Sequence, residues 1–136
     1  MLPLAGCGTT TTTSTCVDPV DFATSADAAA SAAVVVVGTV AGTAGERAYY
    51  QETAPVHHFA VETVLKGQLD SDEIEVASPP QTCNGPGGPF PDGDPLETDQ
   101  RVQLFLFEEE GEYRLITPYD GVEAAPEGQP LPWSGD

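Results

Sequence analysis

Few side chains in this 136-residue sequence have the types and spacing that chemistry needs. His57 and His58 are adjacent, and imidazole nitrogens ligate metals and move protons. Neighbours in a strand point to opposite faces, so the two cannot readily share one ion. They predict one histidine at the edge of the core and one exposed. Asp92, Asp94, Glu97 and Asp99 crowd a short segment with the oxygen donors that Ca²⁺ prefers. The Asp-x-Asp-x-Asp-Gly order is absent and Pro91 and Pro95 restrict the segment, so a solvated acidic loop is expected and no metal is assigned. Glu108, Glu109, Glu110 and Glu112 read as a charged hairpin tip. Ser14, Ser25, Ser31, Ser71, Ser78 and Ser134 stand in no nucleophile motif, and no phosphate-binding loop or dinucleotide fingerprint occurs. Carboxylates are too numerous to single out an acid and base pair. The sequence thus assigns no catalytic residue and no cofactor, and an enzyme is not expected. Cys7, Cys16 and Cys83 remain, without CxxC or Cys/His spacing for zinc.

Charge narrows the partners. Acidic residues number 22 against four basic ones, a net charge of −18. Phosphate binding needs a basic surface, which excludes nucleic acid as a natural partner and argues against adhesion to anionic lipid. The carboxylates keep the chain soluble, suit high salt where self-repulsion is screened, or meet a cationic partner. No run of about 18 apolar residues is present, so no segment of this sequence reads as a spanning helix.

The elements that would position these groups follow from pattern. Asp18-Pro19-Val20-Asp21 reads as a helix start, with Asp18 as cap and Pro19 in the first turn, and the helix is predicted to run to about Ala32. Val34-Val35-Val36-Val37 opens a strand to Val40, apolar on both faces and therefore central. Gly38 interrupts it as a bulge or bend. Residues 41–55 read as a polar connection. From Val56 to Lys66 the chain alternates, placing His57, Phe59, Val61, Thr63 and Leu65 toward the core, and Lys66-Gly67 ends the strand. Ile74 and Val76 make a short third strand. Residues 78–100, rich in Pro and Gly, form a long loop. Val102 to Phe107 and Glu112 to Thr117 form a hairpin around Glu108–Gly111. One domain is expected over residues 16–125, preceded by residues 1–15 and followed by a tail, 126–136, whose Trp133 either docks or stays exposed.

Leu4-Ala5-Gly6-Cys7 resembles the lipobox of prokaryotic lipoproteins. In that family the cysteine thiol takes a diacylglyceryl group through a thioether, and cleavage frees its amine. The resemblance implies that Cys7 carries lipid and that the protein is exported, either anchored on the outer face of the cell membrane or extracellular. Six residues precede Cys7, fewer than an export leader needs, so a start inside a longer reading frame or a trimmed sequence is expected. Thr9 to Thr15, all Thr but for Ser14, would then be an extended tether. With Cys7 lipidated, Cys16 and Cys83 are left to pair or to remain free, buried thiols. In the oxidising setting that export implies, a disulfide between them would close a loop of about 68 residues and stabilise by roughly 4 kcal/mol.

The order of helix, Val34–Val40, Phe59–Gly67, Ile74–Val76, Cys83 and Leu104–Phe107 resembles the netrin-like domain. That OB-type barrel is shared with the tissue inhibitors of metalloproteinases. Three features carry the resemblance: Val34-Val35-Val36-Val37-Gly38-Thr39-Val40, Val64-Leu65-Lys66-Gly67, and the separation of Cys16 from Cys83. It implies a mainly β, five-stranded OB-like barrel with one N-terminal helix. The inhibitors chelate the protease zinc through an N-terminal cysteine, whereas Cys16 is internal here. The expected function is a surface-anchored lipoprotein, a monomer held to the membrane by lipid, whose barrel binds a protein partner or serves the envelope structurally. The alternatives are an inhibitor-like module acting through loop 78–100 and an enzyme of unrecognised site.

Overall fold

The computed structural model describes residues 22–49, 52–80, 90, 93–117 and 121–135. Within these residues the chain forms a helix α1 (Ser25–Ser31) and six strands: β1 (Val34–Tyr49), β2 (Glu52–Lys66), β3 (Glu73–Ala77), β4 (Val102–Glu109), β5 (Glu112–Leu115) and β6 (Val122–Ala124). The sheet runs β1-β2-β3-β5-β4-β6, and β1 also pairs with β4. Five strands therefore close into a ring, with β3 and β5 parallel and the other pairs of the ring antiparallel. This is the OB-like barrel expected from the sequence.

The valine run is buried on both faces for a visible reason. Val34 and Val36 join the main core with Phe59, Val76, Leu104, Leu106 and Leu115. Val35 faces the other way, into a second cluster with Phe105, Ile116 and the alanines of α1. Both faces of β1 are thus removed from water, which is what a continuous β-branched run encodes. Gly38 sits where β1 and β2 press together. A Cβ there would lie 1.9 Å from the Ala60 carbonyl oxygen. No side chain fits, and the bulge predicted at this glycine is present as a register shift between Val37 and Gly38.

The helix is shorter than its sequence suggests. Thr24 is extended, and its Oγ1 accepts a 3.1 Å hydrogen bond from the Asp27 amide, so α1 begins at Ser25. A local hydroxyl cap ends the helix where propensity alone would have carried it toward Pro19. The proposed cap, Asp18, lies outside the described residues. Two turns of helix are marginal alone. Here Ala28, Ala29 and Ala32, all buried, bring the backbone close onto Val35, Phe105 and Ile116. Lys66 Nζ donates to the Ala29 carbonyl at 2.8 Å and the Ala30 carbonyl at 3.4 Å, answering the negative end of the helix from the neighbouring strand.

Residues 41–55 are not a connection. β1 continues to Tyr49 and β2 starts at Glu52, making one long hairpin. Ala41 and Ala44 are extra residues at register shifts. Gly42 and Gly45, at φ 149° and 109°, adopt the conformations these bulges require. The glycines curl the ribbon rather than ending it. The β2 alternation also breaks. Glu62 and Leu65 are unmatched by β1, so Thr63 turns out to solvent and Leu65 packs beneath the helix. The core-facing set is therefore His57, Phe59 and Val61, not the five residues the simple alternation predicts.

The hairpin of β4 and β5 turns through Glu110 and Gly111, at φ 55° and 82°. Positive φ at both central residues defines a type I′ turn, matched to the strand twist. The sequence tail also has a place. Gln103, fully buried, donates Nε2 to the Trp133 carbonyl at 2.7 Å and accepts from the Trp133 amide at 3.0 Å. This reciprocal pair imitates one rung of a ladder and holds the Trp133 ring on the second cluster.

Candidate functional site

Cations are so rare in this chain that each one's position carries information. Lys66 binds the end of α1, and Arg101 pairs with Glu62 at 2.9 Å and donates to the Ala125 carbonyl at 2.7 Å. The other two basic residues, Arg47 and Arg114, meet in one cleft. It lies between the far half of the β1–β2 hairpin and the tip of the β4–β5 hairpin, with a volume of about 610 Å³.

Register builds this cleft. Arg47 lies opposite Ala54 and Tyr49 opposite Glu52, so these four share one face of the ribbon. Ala54, Val56 and Ala77 form a small cluster of their own, packed by Ala44 and Tyr49 and separate from the main core. Ala54, Ala77 and the neighbouring Pro79 are the apolar floor; the two arginines and Tyr49 are the walls. Glu109, Glu110 and Glu112 form the rim.

Glu109 and Glu112 are directly opposed across the hairpin, an arrangement of like charges that is unfavourable by itself. Each is answered by an arginine. Arg47 Nε lies 3.2 Å from Glu112, and its Nη1 donates to the Tyr113 carbonyl at 3.3 Å. Arg114 reaches both Glu109 oxygens, at 3.2 and 3.4 Å. Its guanidinium also lies 5.0 Å from the centre of the Phe107 ring and 5.8 Å from that of Tyr49, within cation–π range. A non-glycine residue in the left-handed region is uncommon, and Glu110 holds that conformation at the rim. Tyr113, behind the rim on β5, has its hydroxyl pKa raised from 10.0 by burial first, then by the charges of Glu108 and Asp70. A second depression of about 620 Å³, beside Val61, Val64 and Leu69, carries carboxylates but no cation and no aromatic ring.

The residues singled out by sequence distribute differently. Cys7, Cys16, Cys83 and Asp92 lie outside the described residues. His57 and His58 do face opposite ways. His57 is 3 % exposed, and its Nε2 lies 2.8 Å from Asp94 Oδ2. Asp94 Oδ1 accepts from the Leu96 amide at 2.9 Å, and Leu96 is wholly buried in the core. Asp94 is thus turned inward as a pin between loop and barrel, while Glu97 and Asp99 stay exposed. No group of three or more potential metal ligands converges among the described residues. The glutamate run is a hairpin tip as expected, but its role as a rim was not apparent. Arg47 and Tyr49 fall in residues 41–55, which local pattern alone reads as a polar connection. The available signal was scarcity: with four cations in all, one inside a supposed polar connection invited a purpose.

No protein-family model, no curated protein and no solved structure matches the chain.

Proposed function

We propose that the protein is an exported, lipid-anchored binding module that holds its ligand in the cleft between the two hairpins, and that it performs no catalysis. One observation carries the binding part. Half of the chain's cations and a tyrosine ring converge on an open, apolar-floored cleft in a molecule otherwise covered by carboxylates. Hairpin ends flanking the barrel are where OB-type folds bind ligands, which supports the cleft by analogy of fold. The anchoring part rests on Leu4-Ala5-Gly6-Cys7 and the threonine tether. Among the described residues no helix is long and apolar enough to cross a membrane.

Two experiments test the two parts. Intact-mass analysis of protein from its native host is expected to find diacylglyceryl on Cys7; an unmodified thiol refutes the anchor. Nuclear magnetic resonance of the full chain against peptide and saccharide libraries is expected to shift the Tyr49 and Arg114 signals first. Hits that leave these signals still and move another face refute the cleft.

A second reading, an inhibitor-like module acting through loop 78–100, draws on how the loop is tied. Ser78 N donates to the Pro55 carbonyl at 2.9 Å at its start, and Asp94 and Leu96 pin its far end. Fixed flanks are what a presented loop needs. Inhibition of secreted proteases that is lost on deleting residues 84–89, which spares Asp94, would favour it over the cleft.

A further inference from the structure

The chemistry of the cleft narrows its occupant. This inference rests on the cleft being the binding site. We infer that it receives a cationic side chain, lysine or arginine, presented by an extended basic segment of a partner protein.

The two arginines do not make the cleft an anion site, because their charge is already met. Arg114 lies against two rings and on Glu109, and Arg47 lies on Glu112 and the Tyr113 carbonyl. Exposure separates the partners: the arginine side chains are 26 % and 21 % exposed, their glutamates 59 % and 66 %. What the cleft turns toward solvent is carboxylate oxygen. An incoming anion would have to displace a glutamate from each guanidinium. An incoming cation leaves both ion pairs in place.

Glu110 supplies the site for it. Its carboxylate enters none of the ion pairs found among the described residues, and its left-handed backbone holds it at the rim. Glu109, beside it on the rim, turns a carboxylate that is 66 % exposed to the same opening. The pair would meet the charged head of a lysine or arginine. The half-buried Tyr49 ring in the cleft wall suits the methylene stem, since such side chains lay their stems on apolar surface and keep the charge wet. The net charge of −18 raises the local concentration of cationic segments and repels anionic ones.

The test uses the full chain at low ionic strength, with hexalysine as probe and hexaglutamate and a neutral oligosaccharide beside it. Glu109→Gln/Glu110→Gln removes two cleft charges. Asp99→Asn/Glu127→Gln removes two exposed charges from the opposite end of β4, giving the same net charge. Hexalysine is expected to bind the unaltered chain and shift Tyr49 and Arg114. Its affinity should fall roughly tenfold in the cleft variant and less than about twofold in the control. Equal losses in the two variants would overturn the inference, because a diffuse field rather than the cleft would be binding. If only hexaglutamate or the oligosaccharide shifts Tyr49 and Arg114, the cationic occupant fails and the cleft stands. If no probe shifts them, the cleft fails as well.

Discussion

Breaking the contact between His57 and Asp94 should unfasten the long loop from the barrel. Both side chains are almost completely buried, 4 % and 7 % exposed, and their polar atoms are 2.8 Å apart. Asp94→Ala removes the acceptor for His57 and for the Leu96 amide together. Leaving the buried His57 ring without its partner costs about 1–3 kcal/mol, and the orphaned amide adds about 1 kcal/mol. A large fraction of a small domain's stability of roughly 5–15 kcal/mol is then at stake. His57→Leu leaves Asp94 its bond to Leu96 and should cost about 3 kcal/mol. Combining His57→Leu with Asp94→Ala should cost no more than the worse single change, because neither partner is then left stranded. Urea denaturation of the four proteins measures the cycle, and hydrogen exchange at residues 94–101 shows whether the loop opens before the barrel. A loss below about 1 kcal/mol for Asp94→Ala, or simple addition in the double variant, would refute the reasoning.

Gly38→Ala should destabilise by about 3 kcal/mol or prevent folding, since its Cβ meets the Ala60 carbonyl at 1.9 Å; thermal melts check it. Gln103→Leu should release the tail, cost about 1–3 kcal/mol, and red-shift the fluorescence of the single tryptophan, Trp133. Glu110→Asn places Asn-Gly in the type I′ turn and should stabilise by about 1 kcal/mol in denaturant while weakening cation binding. Tyr113 should ionise late in an ultraviolet alkaline titration, and Tyr113→Phe should remove that late component. Because its pKa is raised by folding, the unfolded chain loses the proton first, so Tyr113 should make stability fall as pH climbs above about 10 toward the raised value.

The parts of the fold that were legible in sequence are those where local pattern and tertiary burial agree. Val34 to Val37 needed two buried faces and has them, between the barrel core and α1. Val102 to Phe107 and the acidic turn read correctly because strand pattern and turn residues are both local. Gly42 and Gly45 misled because the same residue type ends strands and curls them. Only the opposing strand, which leaves Ala41 and Ala44 unmatched, tells the two apart. Glu62 and Leu65 reversed the β2 faces for the same reason. β6 was not foreseen: it is three residues long and exists by pairing with Val102 to Leu104. The cleft joins Arg47 to Arg114 across 66 intervening positions, and no spacing rule links them. The His57–Asp94 contact was equally hidden, because a loop carboxylate gives no sign of which way it will face.

The alanine cluster under the cleft shares no member with the core that closes the barrel. That separation frees the two to vary independently. Substitutions at Arg47, Tyr49, Ala54 or the hairpin tip can change the shape and charge of the cleft while the ring of strands keeps its packing. The same barrel can therefore carry a succession of differently lined clefts without first being made stable anew.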